Sequence, residues 1–87
     1  MCYTYPMRFK HQAAIMRLIR ESLGLTQREL ANKLGYPTAQ FISNIEREVS
    51  PMPLIVARKL IRMGADRASV EDAYLRDFEW DMKRSLR

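Results

Sequence analysis

The stretch "TQRELANKLGYPTAQFISNIER", Thr26 to Arg47, decides how the rest of the chain is read. It holds two short helical patterns, each opened by a threonine, with Gly-Tyr-Pro between them. Thr26 with Glu29 three residues on completes a capping box, which satisfies two backbone N–H groups at a helix start. Leu30, Ala31 and Leu34 then share one face. Gly35 suits the left-handed position just past a helix end. Pro37 cannot continue a helix, and Thr38 is a suitable cap for the next one. That next helix, about Ala39 to Arg47, points Phe41, Ile42 and Ile45 inward. Thr38, Gln40, Ser43, Asn44 and Arg47 are left for its outer face. Helices of about 8 and 9 residues are marginal alone, so packing must hold this pair. Ala31 is small where the two helices approach, and Ile42 can fill the angle between them.

The surrounding sequence supplies that packing. Ala14, Ile15, Leu18 and Ile19 recur at helical spacing, predicting a first helix from about Lys10 to Leu23 that ends at Gly24. Pro51 and Pro53 make "EVSPMP" a loop, and a fourth helix follows from about Pro53 to Met63, stopped by Gly64. Ser69 with Asp72 resembles a second capping box, opening a fifth helix that reaches about Arg84. The expected fold is all-α, a compact five-helix domain with an extended C-terminal helix. Residues 1–9 read as an arm, 10–66 as the domain and 67–87 as a C-terminal helical element. At 87 residues and 47% hydrophobic, the chain fits one small domain with a modest core.

Composition narrows the function. One cysteine, Cys2, and one histidine, His11, leave no internal disulfide and no Cys/His metal spacing. No glycine-rich phosphate loop is present and His11 has no recognisable nucleophile partner, so neither an enzyme nor a cofactor is expected. The apolar run "PMPLIVA" at 51–57 is far short of the roughly 20 residues that span a bilayer. No signal pattern is visible, and the chain reads as cytoplasmic. The net charge of +5 is unevenly spread. Residues 1–67 hold eleven Lys/Arg against five Asp/Glu, a net of +6, whereas 68–87 hold four against five, a net of −1. The positive charge thus belongs to the segment that contains the two short helices, as expected of a nucleic-acid surface. Uncharged donors and acceptors such as Gln40 and Asn44 can read base edges, while Lys and Arg alone would mostly grip phosphate. The bland alternative for such residues is a solvated face.

"LGLTQRELANKLG" followed by "ISNIER" closely resembles the lambda-repressor-like, Cro-type (XRE-like) helix-turn-helix family of transcriptional regulators, over about residues 13–65. The resemblance implies double-stranded DNA as partner, with the third helix in the major groove and a homodimer on the operator. It implies base contacts from Thr38, Ala39, Gln40 and Asn44, with Ser43 on the same face. Gln27 matches a residue that clamps phosphate at a helix N-terminus, where free N–H groups and the dipole favour an anion. Thr26, Arg28, Lys33 and Arg47 are the further phosphate contacts expected. Arg20 and Glu46 match a partly buried ion pair joining the first and third helices. There are three departures from the family pattern. The turn "YPTAQF" is one residue longer than usual, Ala39 replaces a common polar reader, and Glu48 replaces a frequent glycine.

Beyond the resemblance, Val70, Tyr74, Leu75, Phe78, Met82 and Leu86 form one broad stripe on the last helix. Val70 and Tyr74 suffice to finish the core, so Leu75, Phe78, Met82 and Leu86 are expected at a dimer interface. Against this stands a helix that simply folds back over the first. Trp80 lies off the stripe. Together with this stripe, the resemblance implies a transcriptional repressor binding a palindromic operator as a homodimer. The alternative is an antitoxin-type interaction module that neutralises a toxin or other protein partner through its last helix.

Overall fold

The capping box expected at Thr26 is closed on both sides: Glu29 N–H donates to Thr26 Oγ1 at 3.1 Å, and Thr26 N–H donates to Glu29 Oε1 at 2.8 Å. It opens one of five helices in a computed structural model that describes residues 9–85. These are α1 (Lys10–Ser22), α2 (Gln27–Leu34), α3 (Gln40–Glu46), α4 (Leu54–Arg62) and α5 (Arg67–Ser85), with no strand among the described residues. The fold is all-α. Gly35 closes α2 at φ +90°, a left-handed conformation open to glycine without strain.

The core draws on every helix. Met16 and Ile19 of α1 meet Leu30 and Leu34 of α2, Ile42 and Ile45 of α3, Val56 and Leu60 of α4, and Val70 of α5. Met52, in the loop before α4, closes the same cluster. Ala31 is buried where α2 approaches α3. Burying an aliphatic side chain of this size contributes about 1.5–3 kcal/mol, and such burial holds helices too short to stand alone.

Three expectations are corrected. The inward face of α1 is Gln12, Ala13, Met16 and Ile19, whereas Ala14 is exposed and Leu18 is 61% exposed. The rotation follows from Gln12, whose Oε1 accepts the Met52 N–H at 2.8 Å and so belongs inside despite being polar. The cap of α5 is Asp66 rather than Ser69. Its carboxylate accepts both the Ser69 N–H at 3.0 Å and the Ser69 hydroxyl at 2.7 Å, and these bonds hold it below the ordinary carboxylate pKa. Asp72 pairs instead with Arg76 at 2.7 Å, one turn along an exposed face. Finally, Thr38 caps nothing. Ala39 occupies the N-cap of α3 in a helical conformation, and no side chain closes that end.

The N-terminus of α1 has no local cap either, and α5 supplies one. Asp77 is buried on α5, and its two carboxylate oxygens accept the N–H groups of His11 and Gln12, each at 2.9 Å. The same carboxylate lies 2.8 Å from His11 Nδ1. A negative group on two orphan donors at the positive end of a helix is favourable on both hydrogen-bonding and dipole grounds. The Tyr74 hydroxyl, donating to the Met52 carbonyl, adds a second tie, and burial raises its pKa to about 12. So α5 does fold over α1, while leaving Leu75 and Phe78 each 60% exposed and Met82 46% exposed. Leu86 lies outside the described residues, as does most of the N-terminal arm; the Trp80 side chain is also outside them.

Asp77→Ala is expected to lower stability by about 1–2 kcal/mol, the usual effect of removing a helix cap. Asp77→Asn, which keeps an acceptor oxygen, should fall between that variant and the wild type. Thermal melting followed by circular dichroism reads the order, and an Asp77→Ala midpoint equal to wild type would remove the cap from α1.

Candidate nucleic-acid interface

The residues of α3 divide cleanly by side. Ile42, Ile45 and Glu46 are buried, whereas Gln40, and Arg47 just past the helix, are exposed; Ser43 and Asn44 are half-buried, as is Phe41, which packs against the edge of the core. Gln40 and Asn44, one turn apart, are hydrogen-bonded: Gln40 Nε2 donates to Asn44 Oδ1 at 2.8 Å. The bond orients both amides. It leaves Gln40 its carbonyl oxygen and second N–H, the acceptor and donor that match adenine N6 and N7 in the major groove. Thr38 is exposed in the turn and Ala39 is half-buried behind it. The five expected base-contacting positions therefore run from the turn along the outer side of α3.

The expected phosphate contacts are more scattered. Arg28 is exposed in the first turn of α2, where the N–H groups of Gln27 and Arg28 have no acceptor within the helix. Thr26 has its hydroxyl committed to the capping box. The Gln27 amide is turned inward, Nε2 donating to Glu46 Oε1 at 3.1 Å. Lys33 shares a shallow cavity with Leu23, Leu25 and Met63, none of which lies on α3.

Glu46 is the hinge of this arrangement. Its side chain is 2% exposed, and Arg20 from α1 grips it through Nε at 2.7 Å and Nη2 at 3.2 Å. Arg20 Nη1 also donates to the Leu25 carbonyl at 3.0 Å, fixing the loop between α1 and α2. The hydrogen-bonded carboxylate raises the Arg20 pKa above its ordinary value. Arg17, a residue that motif spacing does not single out, donates from Nη2 to the Glu46 main-chain carbonyl at 3.4 Å. Three residues from two helices thus converge on the last residue of α3. One signal for Arg17 was available, since it precedes Arg20 by one helical turn.

Glu48, just past α3, has φ +66°. The chain reverses there, with Glu48 N–H on the Ile45 carbonyl at 3.2 Å and Val49 N–H on the Asn44 carbonyl at 2.9 Å. That geometry is the physical reason for a glycine at this position, and a glutamate holds it against steric strain. Among the described residues, no group of His, Cys, Asp and Glu could hold a metal ion. Nor is any described helix long and apolar enough to cross a membrane.

Two measurements check these assignments. Arg20→Ala and Glu46→Ala should each destabilise the fold by about 3 kcal/mol, because the first leaves the buried carboxylate with Gln27 and a more distant Arg17 Nε at 3.7 Å and the second leaves Arg20 with the Leu25 carbonyl, and the double variant should lose less than the sum. Single variants that melt with the wild type would mean that the pair is solvated. Glu48→Gly relieves about 1–2 kcal/mol of left-handed strain against about 0.5–1 kcal/mol of chain entropy. Its melting midpoint should therefore lie a few degrees above that of Glu48→Ala, which also loses the glutamate side chain but keeps the strain. Equal midpoints for the two variants would show that no strain is stored there.

No curated protein and no solved structure matches the chain. A helix-turn-helix family model does, over residues 16–63, the span from the buried Met16 of α1 to the end of α4. The match takes in the capped α2, the turn and the whole of α3. The chain belongs to the XRE-like helix-turn-helix family, the lambda-repressor and Cro type of DNA-binding transcription regulators.

Proposed function

We propose that this protein is a transcriptional repressor that binds a palindromic operator as a homodimer in the cytoplasm, with α3 of each copy in the major groove. The observation that carries the reading is the oriented amide pair, Gln40 on Asn44, standing on the outer side of a helix whose other side is locked into the core. Thr38, Ala39 and Ser43 extend the reading row, and Arg28 and Arg47 flank it with positive charge suited to phosphate. Gln27 contributes to grip by way of its main-chain N–H at the start of α2, its side chain being engaged by Glu46.

Support for the dimer comes from α5. Leu75, Phe78 and Met82 form an exposed apolar row on a segment whose net charge is −1, so two copies can meet there without the repulsion of basic faces. A groove between α4 and α5, lined by Leu54, Ile55, Ile61, Val70 and Tyr74, carries Arg58, Arg62 and Arg67 with Glu71, a net positive charge that suits the acidic residues of a second copy's α5. Such a dimer sets two copies of α3 about 34 Å apart, one turn of DNA. The same exposed row serves the second reading, an antitoxin whose α5 covers a partner protein.

Selection from a random DNA library, followed by sedimentation, tests the whole reading. The wild type should enrich a palindromic site and sediment as a dimer. Gln40→Ala should lose about 1–3 kcal/mol of preference at one base pair of each half-site, while Arg28→Ala weakens all sequences alike. Phe78→Asp with Met82→Asp should give a folded monomer binding the palindrome about 100-fold more weakly or worse, as the second half-site is no longer tethered. A wild-type monomer that enriches no site, yet co-purifies with an unrelated small protein, would establish the antitoxin reading instead.

A further inference from the structure

We infer that Lys59 is a positioning residue for DNA reading: from α4 it fixes the turn before α3 and thereby sets which base pairs Thr38, Ala39 and Gln40 reach. The inference rests on the DNA-binding reading above. Its starting point is an asymmetry between the two helices of the motif. The start of α2 is closed by a complete capping box, whereas the start of α3 has no side-chain cap. No side-chain cap therefore holds the entry of α3 at one angle, and that angle decides where the first turn of a reading helix meets the bases.

The missing restraint comes from outside the motif. Lys59 Nζ donates to the carbonyl of Leu34, the last residue of α2, at 2.7 Å. The same ammonium stands 5.8 Å from the centroid of the Tyr36 ring. Tyr36 in turn stacks on Phe41, the second residue of α3, with centroids 4.1 Å apart and planes inclined by 16°. One cation thus engages the carbonyl end of α2, where the dipole favours positive charge, and one face of an aromatic pair that bridges the turn. Gly35 passes close by, its ideal Cβ position lying 3.8 Å from Nζ. Between the stacked rings only Pro37, Thr38, Ala39 and Gln40 remain, and the proline fixes one of their torsions. Lys59 is half-buried, as a strut must be and a freely solvated lysine is not.

Lys59→Met keeps the stem and removes the charge and donor, while Lys59→Arg keeps both. Phe41→Leu removes the stack but keeps apolar bulk. Affinity is measured for the site selected by the wild type and for each of its single-base changes. Lys59→Met is expected to lose about threefold to tenfold of discrimination at the base pairs that Thr38→Ala or Gln40→Ala also affects, with pairs read from Ser43 onward unchanged. Phe41→Leu should reproduce that pattern, and Lys59→Arg should restore most of it. Uniform weakening at every base pair, or an unaltered preference, overturns the inference while leaving DNA binding intact. If Lys59→Met does not fold, Phe41→Leu decides on the same criterion. A wild type that selects no site overturns the DNA-binding reading, and this inference with it.

Discussion

The carboxylate of Glu46, taken almost wholly out of water, constrains the rest of the interface. An ionised group in that position is unfavourable unless several donors converge on it, and here Arg20 contributes two and Gln27 a third. Those donors arrive from α1 and from the first turn of α2. The requirement to satisfy one charge therefore fixes three helices relative to one another. Because Glu46 ends α3, the outer side of α3 is fixed too, and Gln40 and Asn44 inherit a defined direction from a group they never touch.

A second set of ties works at the opposite end of α3. There the restraint is aromatic and cationic instead of carboxylate-based: Tyr36 on Phe41, with Lys59 beside them. The two ends differ in kind. Glu46 is buried and fully paired, so its geometry is stiff. The turn is exposed at Thr38 and depends on contacts that lie partly in solvent. A helix anchored rigidly at its far end and tied more loosely at its near end can have its first residues redirected by changes in the turn while the core stays as it is.

How much of this was legible depended on how local each cause was. Thr26, Glu29 and Gly35 act within a few residues of themselves, so α2 could be drawn from its letters. The buried face of α3 was equally plain, because Ile42 and Ile45 are its most apolar residues. Leu18 misled, since hydrophobicity alone does not say which of two adjacent faces packs; Gln12, a polar residue satisfied by a main-chain N–H forty positions away, rotated the helix. Asp66 was passed over in favour of Ser69, although aspartate is as good a cap. Asp77 and Lys59 were not legible at all. Each serves the end of a helix distant in sequence, and spacing carries no trace of such a partner. The Arg20–Glu46 pair was suggested only by resemblance, for the same reason.

The Asp77 cap has a consequence for the order in which the molecule can be made. His11 and Asp77 are separated by 66 positions, about three quarters of the 87-residue chain. Until α5 docks, the first N–H groups of α1 face water. Only when residue 77 has emerged from the ribosome can that end be closed. Long-range contacts of this sort add slow, loop-closing steps to folding. The start of the first helix is therefore held only once the last helix has docked, and whatever lifts α5 away opens that start to water.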